Sequence, residues 1–562
     1  MSSNHSKRKG AGGLRSLTAA GDWTSVLAQK GKSRLEPLLA GWLRTQRWFG
    51  GKARSIKLAT IRETIPVPCG DTTAVIALVR VDYARGGSDL YALPLAFAHG
   101  KPADALRQRS PRLVLCDLTV QAAGLTGVLY DALGSREFCK ALLALISGRR
   151  HTKAAGGELK ASRTRVFRRI LGEAALPSPA AGKAEQSNSS VIYGDKFILK
   201  LFRRLDAGVN PDLEITRFLT AHEFPHGQQL AGALEFCRPK AEQLTLGMLN
   251  RLVPGARDTW EYTLDTLGRY CDRVAKLIAD GQSPPMGDLP LEQWPQHELP
   301  ANVSKVVGTF LDSARVLGER TAAMHLVLAS EPGDEAFAPE PFTPDYLRGL
   351  FQSMRNQSTH HFRLLRQQLK TLPDDIAPLA RRVLELEPDI VNRFRRLYER
   401  PITSRRIRCH GDFHLGQVLR TGKDFVIIDF EGEPALSMSE RRSKRSSLSD
   451  VAGMLRSFHY AAWAGLYERI KHGSLEYRRL PEFEPWMRLW YQGVGSAYLR
   501  AYLKTMGPSE VVPQSQEDLL AMLPAYLLNK AVYEMGYELN NRPPWLRIPL
   551  QGILQLLALQ PK

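Results

Sequence analysis

The pattern of apolar and polar positions divides the chain into a β-rich first part and a helical second part. Residues 73–83 and 89–97 are short apolar runs separated by Arg85-Gly-Gly-Ser, a pattern typical of an antiparallel hairpin. Beyond about residue 255, apolar residues recur every three or four positions, which predicts helices. These helices are expected at residues 260–280, 303–328, 344–372, 376–400, 451–472, 484–504 and 516–540. The sequence therefore predicts the α+β class.

Changes in composition predict four segments. Residues 1–35 contain few large apolar side chains and are expected to form a flexible basic tail. Residues 36–150 are expected to form a β-rich cap domain. One helix is expected near its start, at 35–43, and one near its end, at 136–147. Residues 151–253 are expected to form a second small β-rich lobe, and residues 254–562 a mostly helical lobe.

Two features interrupt the helical lobe. A pair of strands is expected around Cys409 and Val426. The tract 437–449 is basic and rich in serine, and is expected to be a mobile loop. It ends in Ser447-Leu-Ser-Asp450, which predicts a capping box for the next helix.

Composition excludes several classes of protein. The chain has 562 residues, 43% of them hydrophobic, so it can bury more than one core. Its six cysteines form no Cys-x-x-Cys pair, which argues against a zinc site and a disulfide framework. The net charge of +20 is dispersed, without interleaved aromatic residues, so neither nucleic acid nor a membrane is an expected partner. Without a long apolar run, the protein is expected to be cytoplasmic.

The candidate chemistry lies between Cys409 and Ala435. Asp412 lies in a loop and Asp429 ends the apolar run 425–428, with a turn at 421–424 between them. Such a hairpin brings both carboxylates to one end of a sheet. This arrangement suits phosphoryl transfer, in which Asp412 would receive the proton of an acceptor hydroxyl and Asp429 would hold magnesium. Gln417 offers an amide oxygen as a second metal ligand.

Upstream, a lysine lies on a predicted strand. Residues 184–190 are expected to form a polar loop, followed by a strand, a Gly194-Asp195 turn and a second strand that carries Lys200. Lys200 has two interpretations. It is a solvent-facing strand lysine, or it binds nucleotide phosphates and pairs with Glu214 in a helix that begins at Pro211. Such pairs also occur as plain structure.

The order of these parts is that of a bilobal protein kinase-like fold, with a catalytically silent relative as the alternative. His410 is expected to order its loop and His414 to have a local structural role. Glu431 and Glu433 are expected near magnesium or substrate, or only behind the ligands. Asp450 is expected to cap its helix. The basic residues of the following tract are expected in solvent, with contact to substrate or phosphate as the alternative: Arg441, Arg442 and Lys444.

Longer motifs resemble the bacterial maltokinases, relatives of aminoglycoside and choline kinases. The resemblance rests on His410-Gly-Asp-Phe-His-Leu-Gly-Gln and Ile428-Asp-Phe-Glu-Gly-Glu-Pro. Arg47-Trp-Phe-Gly-Gly-Lys resembles the opening of their cap domain, and Glu185-Gln-Ser-Asn-Ser-Ser with Ile198-Leu-Lys-Leu-Phe resembles their phosphate loop and lysine strand. The stretches from Asp450 and Asn540 resemble their C-lobe. The similarity extends over about residues 38–555.

The resemblance implies ATP-dependent phosphorylation of maltose at its reducing-end hydroxyl, which yields maltose 1-phosphate for α-glucan (glycogen) synthesis. It places the base at Asp412, the Mg²⁺ ligands at Gln417 and Asp429, and a phosphate contact at Lys200. The expected nucleotide site also includes Gln186, Ser187, Asn188, Ser189, Ser190, Glu214, Asn250 and Val253. Some relatives are fused to a trehalose synthase, so any coupling to that enzyme would need association here.

The last long helix suggests an acceptor site. Its aromatic and polar residues share one face, which suits a hydroxyl-rich sugar, although an amphipathic helix docked on the lobe gives the same pattern. The candidate acceptor contacts are Lys530, Tyr533, Glu534, Tyr537, Asn541, Arg542 and Trp545, together with His410 and Glu431. Another small hydroxyl compound, such as an aminoglycoside, is the rival substrate, and it usually favours an acidic acceptor site.

Overall fold

The structure is a computed structural model that describes residues 16–184, 188–296, 298–399 and 401–558. The chain forms two compact units. Unit 1 contains the described residues through Arg217 together with Gln229–Pro254, and unit 2 contains Phe218–Gln228 and the chain from Gly255 onward. Most strands lie in unit 1 and most helices in unit 2. The predicted α+β class is confirmed.

Unit 1 contains two sheets of seven strands each. The first has the strand order β1-β5-β6-β4-β3-β2, with β12 on β4, and the second has the order β7-β8-β13-β14-β11-β10-β9. The strands are β1 (Ser16–Ala19), β2 (Ile56–Cys69), β3 (Thr72–Tyr83), β4 (Ser88–His99), β5 (Val114–Val120), β6 (Leu125–Asp131), β7 (His151–Ala154), β8 (Gly157–Arg163), β9 (Pro179–Ala184), β10 (Asn188–Tyr193), β11 (Phe197–Phe202), β12 (Arg204–Leu205), β13 (Leu230–Cys237) and β14 (Leu244–Arg251). The helices are α1 (Gln29–Thr45), α2 (Lys101–Arg109), α3 (Arg136–Gly148), α4 (Arg165–Leu171) and α5 (Pro211–Ala221), which continues into unit 2.

Strand β3 explains why the two sheets belong to one unit. Its successive side chains point to opposite faces of the sheet. On one face, Val79 joins a cluster with Leu39 of α1. On the other, Ile76 joins a cluster that contains Phe138 of α3 and Leu199 of β11 in the second sheet. The predicted cap and second lobe therefore share a hydrophobic core, and the boundary at residue 150 stays a prediction.

Two predicted loops need correction. Residues 16–35 belong to β1, a 3₁₀ turn and the start of α1, because Leu17 and Ala19 are buried where β1 pairs with β5. The rest of the predicted tail, residues 1–15, lies outside the described residues. In the predicted polar loop 184–190, residues 188–190 form the start of β10 and are buried. The predicted hairpins at β3–β4 and β10–β11 are confirmed.

Unit 2 is mostly helical. Its strands are β15 (Arg257–Asp258), β16 (Glu340–Pro341), β17 (Arg405–Arg406), β18 (Val418–Thr421) and β19 (Asp424–Ile427). Its helices are α6 (Thr259–Ala279), α7 (Ala301–Val307), α8 (Phe310–Leu328), α9 (Pro344–Gln368), α10 (Ala377–Glu385), α11 (Glu387–Arg395), α12 (Met438–Arg442), α13 (Leu448–Lys471), α14 (Leu480–Met506), α15 (Gln516–Asn541) and α16 (Arg547–Ala558). Two predicted helices are each split. Gly308, with φ of +84°, separates α7 from α8, and Pro388 lies in the first turn of the new helix α11.

The basic tract 437–449 is folded and is not a mobile loop. Ser437 and Glu440 form a capping box at the start of α12. Lys444 is 8% exposed, and its Nζ donates to Glu340 Oε1 at 2.9 Å, so its predicted place in solvent is wrong. The predicted capping box at Ser447 is also wrong, because the Ser447 hydroxyl donates to the Val511 carbonyl at 3.2 Å.

The described ranges bear on two expectations from composition, one about membrane crossing and one about the cysteines. None of their helices combines the length and apolarity needed to cross a membrane. All six cysteines lie in these ranges as free thiols, and five of them are buried.

Candidate active site

The β18–β19 hairpin brings the two predicted metal ligands to one end of a small sheet. Val418 pairs with Ile427, and the backbone N–H of Ile428 donates to the Gln417 carbonyl at 3.0 Å. Gln417 thus directly precedes one strand, and Asp429 lies two residues beyond the other. Asp429 has φ of +68°, a left-handed conformation that costs a non-glycine residue about 1–3 kcal/mol and is common at functional sites.

Oxygen donors gather at this end of the hairpin. Carboxylate oxygens of Asp429 and Glu431 lie within 4.8 Å of each other. Together with the amide of Gln417, they supply the hard ligands that Mg²⁺ prefers. This donor set fits the magnesium ion that the sequence predicts, and the role of each ligand stays a prediction.

A buried carboxylate behind the catalytic loop holds the loop in place. Asp450, at the start of α13, is 1% exposed. Its Oδ2 accepts the backbone N–H of His410 at 2.8 Å, and its Oδ1 accepts that of Gly411 at 2.9 Å. Gly411 has φ of +84°, which glycine adopts without strain. Asp450 therefore positions the residues that lead into Asp412, and its predicted role as a helix cap is wrong.

Asp450 is itself held by a histidine from α8. The Nε2 atom of His325 lies 3.1 Å from Asp450 Oδ2, and its Nδ1 atom lies 3.0 Å from the Tyr502 hydroxyl. Burial alone would raise the pKa of Asp450, but the bonds from His325 and the loop N–H groups lower it below its usual value. Asp450 is thus a buried anion with its acceptor oxygens occupied.

His410 connects its own loop, which leads into Asp412, to the turn that carries Asp429. Its Nε2 donates to the Ile428 carbonyl at 2.9 Å, and its ring packs 4.9 Å from that of Phe430. Because His410 is 1% exposed, an acceptor sugar has no surface of it to contact. The structure supports the prediction that His410 orders its loop and argues against its predicted contact with substrate.

Asp412 is paired with a lysine of α15. Lys530 Nζ lies 3.2 Å from Asp412 Oδ1 and 2.7 Å from Glu433 Oε1. The side chains of Asp412 and Lys530 are 23% and 22% exposed, so a substrate can reach both. On the other side of Asp412, His414 Nε2 lies 3.9 Å from Oδ2. Glu433, predicted near magnesium or substrate, is thus a partner of Lys530.

These contacts keep both groups charged. Burial alone would raise the pKa of Asp412, but the positive charge of Lys530 and the hydrogen bond from it lower the pKa. Burial disfavours the Lys530 ammonium, yet the charges of Glu433 and Asp412 raise its pKa. Burial lowers the pKa of His414, whose Nδ1 accepts the N–H of Gly416 at 3.1 Å, so this histidine stays neutral near pH 7.

The predicted sugar-binding face of α15 is divided. Lys530 contacts Asp412, and its Nζ lies 4.9 Å from the centre of the Tyr533 ring. Glu534 instead accepts two bonds from the buried guanidinium of Arg456, at 3.0 and 2.6 Å.

The end of the helix shows similar internal pairing. Arg542 donates to both oxygens of Glu538 and lies 4.8 Å from the Trp545 ring centre. Asn541 donates to the Tyr537 carbonyl at 2.8 Å. The geometry therefore argues against an acceptor contact by Glu534, whereas contacts by Asn541 and Arg542 stay predictions. Lys530 and Tyr533 lie beside Asp412.

In unit 1, Lys200 pairs with an acid that the sequence analysis missed. Its Nζ lies 2.7 Å from Asp212 Oδ2, and the side chains are 12% and 4% exposed. Lys200 is therefore not a solvent-facing strand lysine. Asp212 lies in the first turn of α5, where Asn210 Oδ1 accepts its backbone N–H at 2.8 Å. The pairing of Lys200 with Glu214 stays a prediction.

The other predicted nucleotide contacts lie on or beside the strands of the second sheet. Asn188, Ser189 and Ser190 are buried in β10, and the Ser189 hydroxyl accepts Arg203 Nε at 2.9 Å. Asn250 is 3% exposed within β14, and Val253 follows that strand. Gln186 and Ser187 lie outside the described residues.

Arg203 explains part of the Arg47-Trp-Phe-Gly motif. This buried arginine donates to Asp131 Oδ2 at 2.6 Å and lies over the Trp48 ring, 4.6 Å from its centre. The motif thus packs around a cation that also binds Ser189 of β10. A charge next to the apolar run 197–202 is the signal that could have indicated this residue.

Comparisons with known proteins agree with this architecture. Residues 42–134 match the maltokinase N-terminal cap domain. A glucosamine kinase of Streptacidiphilus jiangxiensis is 23% identical over 70% of this chain and 76% of its own. A glucosamine kinase of Mycolicibacterium smegmatis is 31% identical over 26% of this chain and 34% of its own.

A solved structure of glucosamine kinase in complex with glucosamine, ADP and inorganic phosphate has a TM-score of 0.58, at 19% identity. The match covers 92% of this chain and 99% of that one, and at this identity it shows a shared fold. Residues 178–486, more than half of the chain, match the phosphotransferase enzyme family. The predicted resemblance is confirmed at this level, and the chain belongs to the phosphotransferase enzyme family.

Proposed function

We propose that the protein transfers the γ-phosphoryl group of ATP to the anomeric hydroxyl of maltose, giving maltose 1-phosphate and ADP. The observation that carries this proposal is the position of Asp412, which is charged, accessible and fixed beside the metal-binding turn through the His410–Ile428 bond. The bond between the γ-phosphorus and the β,γ-bridging oxygen breaks, and a bond from the anomeric oxygen to phosphorus forms. The hydroxyl proton passes to Asp412 and then to water.

Asp412 mainly orients the hydroxyl in this reaction. Its lowered pKa makes it a weak base, but phosphoryl transfer passes through a loose transition state that needs little deprotonation of the nucleophile. An anomeric hydroxyl is also more acidic than other sugar hydroxyls, which reduces the demand on the base. Most of the rate enhancement then comes from alignment of the oxygen with the γ-phosphorus.

Charged and polar side chains would hold the nucleotide. Lys200 binds its phosphates, and Gln417 and Asp429 hold Mg²⁺, with Glu431 close to Asp429. When bound, Mg²⁺ neutralises charge on the phosphate oxygens. The Lys200–Asp212 pair limits the rotamers of the lysine, so its side chain is already oriented before ATP arrives.

The acceptor class rests on the cap and on the relatives. The match of residues 42–134 to the maltokinase cap supports maltose. The relatives named glucosamine kinases support a sugar acceptor more broadly, and make glucosamine the second candidate. The product, maltose 1-phosphate, would feed α-glucan synthesis, through association with a trehalose synthase if the two enzymes are coupled.

An acceptor panel tests the proposal. The purified protein with ATP and Mg²⁺ is given maltose, glucosamine, glucose or trehalose, and ADP release is measured with phosphorus NMR of each product. We expect the highest kcat/KM with maltose and a phosphorus coupled to the anomeric proton. Trehalose is the matched control, because both of its anomeric oxygens are in the glycosidic bond. Coupling to a C6 methylene, or turnover of trehalose like that of maltose, would refute the assignment.

A further inference from the structure

The acceptor side of Asp412 already contains a positive charge supplied by the chain. Lys530 Nζ is bound by Glu433 at 2.7 Å and Asp412 at 3.2 Å, and it lies 4.9 Å from the centre of the Tyr533 ring. These are the groups that a protein uses to bind an ammonium ion, namely carboxylates and an aromatic face. Here they bind the side chain of a lysine.

We propose that the Lys530 ammonium fills the cation position beside Asp412, so that the acceptor site takes neutral sugars and rejects 2-amino sugars such as glucosamine. This inference rests on the proposed transfer to an anomeric oxygen, and it names the substrate class of that site. Lys530 is then a residue that determines specificity, and Glu433 holds it in position.

Distance supports this role. A reacting hydroxyl bonded to Asp412 lies about 3 Å from the carboxylate, which Lys530 also contacts. In a sugar that reacts at C1, the substituent on C2 is next to the reacting oxygen. An ammonium at C2 therefore lies no more than roughly 9 Å from Lys530 Nζ, from two hydrogen-bond lengths and the similar spacing of neighbouring sugar substituents.

An arriving ammonium has two unfavourable options. It can stay beside Lys530, where two like charges at this separation reduce affinity by about twentyfold, relative to a site without the lysine, at an effective dielectric constant of about 20. It can instead displace Lys530 from Asp412 and Glu433. The displaced lysine, only 22% exposed, would then lose the partners that compensate for its burial. A neutral hydroxyl at C2 meets neither penalty.

The surrounding charges set the background of this effect. The groups that face Lys530 are Asp412 and Glu433, which it neutralises in part, and Tyr533 on its own helix. His414, on the far side of Asp412, stays neutral because burial lowers its pKa. The cluster keeps a net negative charge, so the preference for a neutral sugar rests on Lys530 already occupying the contacts with both carboxylates.

Substitutions at Lys530 and at Glu433 should move sugar preference in opposite directions. Lys530→Met leaves Asp412 and Glu433 without their cation, and should shift the ratio of kcat/KM for glucose to that for glucosamine by tenfold or more toward glucosamine. Glu433→Gln removes a negative charge and should shift the ratio toward glucose. Lys530→Arg keeps the charge and is the matched control. A purely structural role would lower kcat/KM for both sugars equally.

The assay compares glucose, glucosamine and neutral N-acetylglucosamine as acceptors, and as competitors of maltose phosphorylation. ATP binding and the thermal unfolding midpoint of each variant show whether it is folded. If Lys530→Met does not fold, the inference is tested by the ratio of kcat/KM for glucose to that for glucosamine, measured in Glu433→Gln and in the parent. We expect the parent to prefer glucose over glucosamine.

The outcomes separate this inference from the proposed function. Equal use of glucose and glucosamine by the parent, or a ratio unchanged in the folded variants, overturns the role of Lys530 even if maltose is the best substrate. Conversely, suppose that maltose is not phosphorylated while substitution of Lys530 shifts the glucose-to-glucosamine ratio of kcat/KM as expected. In that case the role of Lys530 in specificity stands and the maltose assignment is wrong. Exclusive use of glucosamine would overturn both.

Discussion

Replacing Asp450 by asparagine tests whether the catalytic loop depends on the carboxylate buried behind it. Asp450 accepts the backbone N–H groups of His410 and Gly411 at 2.8 and 2.9 Å, and it contacts His325 Nε2 at 3.1 Å. Asparagine has nearly the same shape but presents an NH₂ group in place of one oxygen. One loop N–H then faces a donor in a buried site.

The magnitude follows from the bonds that are lost. A hydrogen bond to a charged acceptor contributes about 1.5–3 kcal/mol, and an unsatisfied buried N–H costs about 1–3 kcal/mol. We expect the Asp450→Asn variant to lose about 3 kcal/mol of unfolding free energy. If the loop instead shifts to relieve the clash, the same free energy is lost from alignment of Asp412, and kcat falls by about a hundredfold.

The stability that Asp450 contributes should depend on pH in a defined direction. The pKa of Asp450 is lowered in the folded protein, so its ionised form stabilises the fold above the unfolded pKa of about 3.9. This contribution is lost as pH falls through the folded pKa. The stability difference between parent and Asp450→Asn should therefore be constant from about pH 7 to pH 5 and shrink on further acidification.

Urea unfolding and steady-state kinetics measure the two effects. Tyr270→Phe is the control, because it removes a buried hydrogen bond of 2.7 Å to the Trp486 carbonyl that involves no loop residue. We expect the control to lose about 1 kcal/mol of stability with kcat unchanged. An Asp450→Asn variant with parental stability and parental kcat would refute the role of Asp450 in the loop.

Three further predictions concern the groups around the site. Asp412→Asn should reduce kcat by orders of magnitude with ATP affinity nearly unchanged, as turnover assays and calorimetry can show; an unchanged kcat would contradict the assignment. Asp429→Ala should abolish the enhancement of ATP binding by Mg²⁺, whereas Lys200→Ala should weaken ATP binding with and without the metal, as calorimetry can separate. Glu534→Gln should cost about 3–5 kcal/mol of unfolding free energy, because the buried Arg456 loses its partner, while KM for the acceptor stays the same; a raised KM at full stability would restore the predicted sugar contact.

The roles that the sequence could predict are those carried by local patterns. The turn at 421–424 and the apolar run before Asp429 define the β18–β19 hairpin, and so the placement of Gln417 beside Asp429. Asp450 shows the limit of this reasoning. An acid in the first turn of a helix has the local pattern of a cap or dipole partner, but its bonds reach a loop that is distant in sequence.

Helix α15 shows a second limit. Periodicity correctly groups Lys530 and Glu534 on one side of the helix, because residues four apart are neighbours. It does not indicate what lies opposite each of them. Lys530 meets Asp412 and Glu433, whereas Glu534 meets the buried Arg456 of α13. A single predicted sugar face thus becomes one accessible pair and one buried pair.

Hydrogen bonds between the loop of Asp412 and the turn that carries Asp429 suggest how residues without substrate contact control the reaction. His410 joins the catalytic loop to the Ile428 carbonyl, and the N–H of Ile428 binds the Gln417 carbonyl. The predicted base and the predicted metal ligands are therefore fixed relative to one another through one residue, Ile428, directly before the strained Asp429. A substitution behind this junction should change the distance between hydroxyl and phosphorus more than it changes sugar binding. For that reason we expect kcat to respond more strongly than KM to changes at His410.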